Sequence, residues 1–302
     1  MLDTALREAH LMADLAASDA GYHASRPYRF IAAVKLVLRH QRAHLYPVLH
    51  CPREHMLPTP EKDLAQYMAA ARPGRSPEDV GTLCEPWLTR GALTMLDQLL
   101  ELHHRGLEWS SGSSTVWLLL RLASLHTVEH DAAWLKSVRQ HIGRRYDAET
   151  ASHWTFHHSP CVELRRGACQ GWAHSTTGNN YTDYVEYPRR HFLPTFRGGW
   201  DIVLIDGRSR AECTLETLRT PGFFNRKGHG LLVLDNAERA RYDSATKQVP
   251  STWLRVCFAY KTAATAVWMA CDESEHCARA RSELAELQLL RKGADCRVNF
   301  VG

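Results

Sequence analysis

Leu107-Glu108-Trp109-Ser110-Ser111-Gly112-Ser113-Ser114-Thr115 lies between two apolar runs, one ending at Leu102 and the other covering 116–125. Both runs read as helices, and the start of the quoted stretch reads as a short strand. Thr127-Val128-Glu129-His130-Asp131 follows as a second strand with an acid at its end. Strand, small-residue loop, helix, strand, acid is the layout of a nucleotide-type pocket in a doubly wound α/β domain. The loop lets the backbone approach a ligand, the helix N-terminus offers free N–H groups, and the acid can take a ribose diol. Gly112 is the single glycine of the loop, so the loop gains its meaning from its neighbours.

Outward from this stretch the alternation is regular. A helix is expected over 86–102, a strand over 106–109, a helix over 115–124 and a strand over 127–129. A helix over 132–143 and a third strand over 161–164 follow, then a helix over 181–187. The fourth strand is expected at 200–206, a helix at 211–218 and the fifth strand at 230–235. The fourth and fifth strands are continuous apolar runs, as strands buried on both faces should be. Two more β-forming runs, 253–260 and 265–270, sit close enough to form an antiparallel hairpin at the sheet edge. A charged helix over 273–291 ends the chain. Before the core, residues 1–50 read as helical, the prolines Pro47, Pro52, Pro58 and Pro60 break the pattern, and a short helix covers 61–71. The expected division is a helical N-terminal extension over 1–81, the α/β domain over 82–272 and a C-terminal helix and tail over 273–302.

With 302 residues, 44% hydrophobic and 23% charged, the chain can bury a full core and has the composition of a globular protein. Its net charge of +4 is too small to indicate a nucleic-acid partner. No apolar run reaches the roughly 18 residues that span a bilayer. Nine cysteines without a Cys-x-x-Cys pair read as reduced thiols, and the N-terminal octet lacks a signal-peptide pattern, so the expected compartment is the cytoplasm.

The chain resembles the class I methyltransferases that use S-adenosylmethionine, over about 85–270. The resemblance is closest to a poorly characterised branch with a Glu-Trp-Gly-Ser-Gly-type first motif. It is carried by Glu108-Trp109-Ser110-Ser111-Gly112, by Val128-Glu129-His130-Asp131 with Trp134, by Asp206-Gly207-Arg208 with Arg210, and by Asp235-Asn236 with Arg241-Tyr242. It implies a Rossmann-like, mostly parallel seven-stranded sheet with an antiparallel last strand. It also implies roles for single residues. Ser110, Ser111, Gly112 and Ser113 would lie under the methionine part of the cofactor, Glu129 would bind the ribose hydroxyls, and His130 or Asp131 would lie near the adenine edge. Glu108 would sit beneath the loop and hold its N–H groups or the cofactor ammonium. Family members have glycine where Ser110 stands, because a Cβ there crowds the cofactor. The expected activity is methylation of oxygen or nitrogen on a small polar or anionic acceptor. A binding or scaffold protein that keeps the fold without turnover is the alternative. A nucleotide-sugar or NAD enzyme would want a more glycine-rich turn.

Asp206 ends the fourth expected strand, and Asp235 and Asn236 end the fifth, so all three border one crevice with Asp206 also beside the cofactor. Two carboxylates and an amide oxygen suit Mg²⁺; capping of the local turns is the other reading of the same residues. Arg208 and Arg210, with Arg239 and Arg241, could clamp an anionic substrate or pair with Glu212 and Glu238. Asp206, Arg208 and Arg210 are therefore the candidate catalytic set. Of His153, His157 and His158, the first two are four apart, as on one helical face, but Trp154, Thr155 and Phe156 prefer strand and no third ligand at zinc spacing accompanies them. His174 and His191 are candidate bases, Cys169 could border the adenine, and Tyr181 and Tyr184 read as core packing. The N-terminal helices could form a lid, a partner surface or a dimer contact, so a homo-oligomer stays open.

Overall fold

The computed structural model describes residues 24–42, 86–162, 181–196, 198–225, 229–260 and 263–289. The expected helix over 61–71, the proline-rich connection, His174 and Cys169 lie outside them.

The described elements run α1 (Arg26–Arg42), α2 (Arg90–Leu99), β1 (Arg105–Trp109), α3 (Ser113–Leu119), β2 (Ser124–Glu129), α4 (Ala132–Arg145), α5 (Ala148–Ser152) and β3 (Trp154–His158). There follow α6 (Thr182–Tyr187), β4 (Ile202–Ile205), α7 (Arg210–Arg219), β5 (Leu231–Asp235), α8 (Asp243–Thr246), β6 (Leu254–Tyr260), β7 (Ala263–Met269) and α9 (Glu275–Leu289). The strands form one seven-stranded sheet in the order β3-β2-β1-β4-β5-β7-β6. β3, β2, β1, β4 and β5 pair in parallel, and β7 runs antiparallel to both β5 and β6. The architecture is thus the mostly parallel, Rossmann-like sheet with a reversed last strand that the sequence leads one to expect. β7 inserts between β5 and β6, which leaves β6 at the edge.

Alternation along the central strands builds two cores. Ile202 and Leu204 of β4, with Leu231 and Val233 of β5, face Leu93, Leu96, Leu118, Leu135 and Val138. Val203, Ile205, Leu232 and Leu234 face the other way, toward Tyr184, Phe192, Cys213 and Phe223. Each buried aliphatic side chain of this size contributes about 1.5–3 kcal/mol. Because both faces are covered, β4 and β5 carry no alternation in sequence, only an unbroken apolar run. From the N-terminal extension, α1 packs Phe30, Ile31, Val34 and Val37 into the first core, and α9 adds Cys277, Ala280 and Leu284. Lys35 on α1 also reaches Glu283 on α9 at 2.9 Å.

The third strand of the sheet is Trp154–His158; of the expected 161–164, residues 161 and 162 belong to no strand and the other two lie outside the described residues. Asp147 caps the five-residue α5 by accepting from the Thr150 amide, and the chain then enters the sheet at once, pairing Leu125 with Trp154 and Glu129 with His158. Trp154 and Phe156 fall on the α4 side of the strand, an alternation that the three histidines around them obscure. The helix expected to reach residue 124 stops at Leu119, because the Ala123 amide already bonds to His104 O and β2 begins at Ser124. After α6 the helix continues as a π-turn over Pro188–Phe192, where the proline has no N–H to give.

The cysteines overturn the reduced-thiol expectation. Cys271 and Cys277 form a disulfide across the turn from β7 into α9, Cys161 and Cys257 are disulfide-bonded too, and Cys213 is a buried thiol. A Cys-x-x-Cys motif is no precondition for a bridge; a turn that brings two Cα atoms to 5.8 Å suffices. With this correction the cysteines no longer argue for a reducing compartment. Among the described residues no helix is long and apolar enough to cross a membrane.

Candidate functional site

The loop after β1 begins by extending the sheet. The Ser110 amide donates to Val128 O at 2.8 Å, and the chain then turns away through a left-handed Ser110 with φ 88°. A side chain at such a φ is uncommon and costs energy, so the turn must be held by its surroundings. Trp134 on α4 supplies one anchor, its indole N–H donating to Ser111 O at 2.7 Å. The second anchor is Thr115, whose hydroxyl oxygen accepts from the Gly112 amide at 2.8 Å.

Beneath the loop lies Glu108, fully buried on the α3 side of β1. The hydroxyls of Thr115, Thr127 and Ser114 approach its carboxyl at 2.5, 2.8 and 3.1 Å. Burial pushes its pKa up to about 8, and these hydroxyls offset only part of that. Glu108 therefore braces α3 against β2 through hydroxyls; it holds the loop amide of Gly112 only through Thr115. Thr115 and Thr127 are the residues that sequence reasoning missed here. The signal was available: a glutamate inside a buried strand requires polar partners on the same face.

Glu129 ends β2 and is also fully buried, yet its electrostatics are opposite. Its Oε2 accepts from the Ser111 amide at 2.6 Å, the Ser111 hydroxyl at 2.9 Å and the Ser110 hydroxyl at 3.3 Å. Its Oε1 accepts from the amides of His130 and Asp131 at 2.7 and 2.9 Å, and His130 Nδ1 lies 2.8 Å away. Burial alone would raise the pKa of this carboxyl, but the His130 ring and the amides of Asp131 and Ser111 hold it below the usual value. Glu129 is thus a buried carboxylate, ionised at neutral pH.

His130 and Asp131, expected near an adenine edge, have other partners. Asp131 caps α4 by accepting from the Trp134 amide. The His130 ring bridges strands: its Nε2 accepts from Arg208 Nε at 3.3 Å, while Tyr181 and Tyr184 stand edge-on to it at about 6 Å. Tyr184 is buried beside Gly207, where a Cβ would come within 2.0 Å of the phenol oxygen and 3.1 Å of Ser110 Cβ. Glycine at 207 therefore lets Tyr184 and the loop close on each other. Sequence reasoning placed both tyrosines in a core; the structure brings them to the site as well.

The acids after β4 and β5 are held differently. Arg210, with 11% of its side chain exposed, donates to Asp206 O at 2.7 Å, Gly207 O at 3.0 Å and Asp235 O at 2.6 Å. Its guanidinium also reaches Asp206 Oδ1 at 2.8 Å and Asp235 Oδ2 at 3.4 Å. Asp235 Oδ1 accepts from the Thr265 hydroxyl at 3.0 Å, which ties β5 to β7. Asn236 is a buried left-handed turn residue whose carbonyl accepts from the Arg239 amide. The expected Mg²⁺ set of Asp206, Asp235 and Asn236 is corrected by this geometry. A guanidinium stands between the two carboxylates, offsets one of their two charges and takes the place a cation would occupy. Arg210 itself is a clamp between strands and not a group presented to substrate. Arg239 lies 3.7 Å from Glu238, in the paired arrangement considered from sequence.

Of the histidines, His157 stacks on Tyr187 with centroids 3.5 Å apart, and His153 follows α5 as its C-cap. His191 packs near the same tyrosine, at 4.4 Å, which places it in an aromatic cluster.

No known family and no curated protein matches the sequence. Solved structures do match in part. A methyltransferase from Geobacter sulfurreducens is 9% identical, with a TM-score of 0.41, over 72% of this chain and 100% of that one. An rRNA methylase from Streptococcus thermophilus is 10% identical, with a TM-score of 0.40, over 59% and 92%. Fibrillarin from Aeropyrum pernix, with natively bound S-adenosyl-L-methionine, is 10% identical, with a TM-score of 0.37, over 56% and 67%.

Proposed function

We propose that this chain is an S-adenosylmethionine-dependent methyltransferase acting on oxygen or nitrogen of a small polar or anionic acceptor. The observation that carries the reading is Glu129: an ionised, buried carboxylate at the end of β2, bonded to the loop that follows β1. This pair sits where the strand order reverses, with β2 on one side of β1 and β4 on the other, the place at which open α/β sheets bind ligands.

The donor set fits the cofactor. An ionised carboxylate is an acceptor only, which suits a ribose diol, and the loop carries small residues from Ser110 to Ser113. Glu129 would take the ribose hydroxyls, and Ser110, Ser111, Gly112 and Ser113 would lie under the methionine part. S-adenosylmethionine supplies an electrophilic methyl group on a sulfonium. What the chain contributes is alignment, exclusion of water and release of the acceptor's proton to solvent as S-adenosylhomocysteine departs. Arg208, at the mouth of the same crevice and joined to His130, is the cation placed to orient an anionic acceptor. Asp206 and Arg210 hold the β4 turn that presents Arg208. Methyl transfer by alignment needs no metal, in keeping with a guanidinium between Asp206 and Asp235.

A binding protein without turnover is the second reading, favoured by the hydroxyls of Ser110 and Ser111 on Glu129. Both readings predict that S-adenosylhomocysteine binds the wild-type chain in calorimetry and that Glu129→Ala removes the binding. Absence of heat at millimolar ligand defeats both. Transfer of a labelled methyl group from S-adenosylmethionine to any acceptor then separates enzyme from binder.

A further inference from the structure

Around Glu129 the donors exceed what a carboxylate can hold. Its two oxygens offer about four lone-pair sites. Oε1 is taken by the His130 and Asp131 amides and faces the His130 ring, while Oε2 receives the Ser111 amide and the hydroxyls of Ser110 and Ser111. Any ligand hydroxyl that reaches this carboxylate must therefore displace a donor already present. The amides are fixed by the β2 turn and by the loop, which Trp134 and Thr115 anchor. The serine hydroxyls each leave by one rotation about χ1. They are also the donors that cover the carboxylate, Ser110 half-buried and Ser111 buried above a Glu129 with no exposure.

Ser110 adds an independent argument. It holds φ 88°, where glycine would be unstrained, and its hydroxyl points at Glu129. The chain keeps a side chain in a costly conformation, and that side chain's polar atom does one thing in the structure: it occupies Oε2.

We infer that the hydroxyls of Ser110 and Ser111 stand in for the vicinal diol of a ribose on Glu129 and leave when a nucleoside ligand binds, so that these two residues set the affinity of the site. The inference rests on the methyl-donor reading for the ligand and concerns how the chain itself limits binding. Two hydroxyls from adjacent residues hold one carboxylate oxygen, the task two hydroxyls on adjacent ribose carbons would perform. Exchanging like for like costs the difference between two neutral donors and not the exposure of a bare charge. The consequence is a site that is closed and satisfied when empty and whose affinity is reduced by its own loop.

The test is calorimetric titration of the full chain with S-adenosylhomocysteine and with its 2′,3′-dideoxy analogue, for wild type, Ser110→Ala and Ser111→Ala. Alanine keeps the Cβ and so leaves the backbone strain at 110 unchanged. Each substitution is expected to tighten S-adenosylhomocysteine roughly fivefold, the equivalent of about one neutral hydrogen bond, and to leave the dideoxy analogue unchanged. Equal or weaker binding of S-adenosylhomocysteine by both variants overturns the inference while the methyl-donor reading stands. Equal tightening of both ligands also overturns it, since that reports a looser loop and not an exchange at the diol. If neither wild type nor variant binds S-adenosylhomocysteine at millimolar concentration, the methyl-donor reading falls and this inference with it.

Discussion

Two carboxylate centres lie at the C-terminal edge of the same sheet and are stabilised in opposite ways. At the end of β2, Glu129 is held by amides, hydroxyls and an imidazole; at the ends of β4 and β5, Asp206 and Asp235 are held by the guanidinium of Arg210. Hydroxyl donors can be exchanged like for like for those of a ligand, at the cost of only the difference between the two. A buried guanidinium cannot be traded without stranding charge. The first centre can therefore open to a ligand, while the second is a permanent tie between strands. Side by side they set Glu129 apart from the two acids that Arg210 ties together.

This contrast breaks first, and most visibly, at Arg210. Arg210→Ala removes the positive charge between Asp206 and Asp235 and is expected to cost about 3–5 kcal/mol in chemical denaturation. A loss under 1 kcal/mol would mean that the clamp is no more than a surface pair. Next comes Glu129→Ala, expected to weaken S-adenosylhomocysteine by about 100-fold or more, or roughly 2.7 kcal/mol, with the fold retained in circular dichroism.

Glu108 sharpens the comparison as a fourth acid, neutral where Glu129 is charged. Its pKa is about 8 in the folded chain against an ordinary 4.5. The folded state thus keeps a proton that the unfolded chain has lost. The stabilisation is complete below pH 4.5 and disappears as the pH rises to about 8. Glu108→Gln should remove this component. The difference in Tm between variant and wild type then shifts in favour of the variant as pH rises from 4.5 to 8. A constant difference across that range would show Glu108 to be ionised throughout. The smallest effect is expected from metal: millimolar Mg²⁺ or a chelator should leave Tm unchanged, and a rise with Mg²⁺ that Asp235→Asn abolishes would restore the metal reading.

Much of this was legible in sequence where local pattern and chemistry coincide. Continuous apolar runs identify β4 and β5, because burial on both faces removes alternation. The small-residue loop and Glu129 are adjacent in space as their order suggests, because parallel pairing of β1 and β2 brings the loop after β1 to the end of β2. Other features depend on partners distant in sequence. Read locally, Asp206 and Asp235 fit a metal site or turn caps, and Arg210 fits a substrate clamp or a surface pair; only the fold places its guanidinium between them. Trp154, Thr155 and Phe156 favour strand by residue type, but a preference over three residues does not make a sheet member; what makes this segment the third strand is its pairing with β2. Cys271 and Cys277 meet because the turn into α9 doubles back.

The exchange at Glu129 is the centre of the account, and a co-crystal structure with S-adenosylhomocysteine tests it most directly. The account predicts ribose hydroxyls on Glu129 Oε2, with the Ser110 and Ser111 hydroxyls rotated away and the Ser111, His130 and Asp131 amides still bonded to the carboxylate. A ligand bound elsewhere, or a ribose in the crevice while both serine hydroxyls remain on Oε2, would contradict it.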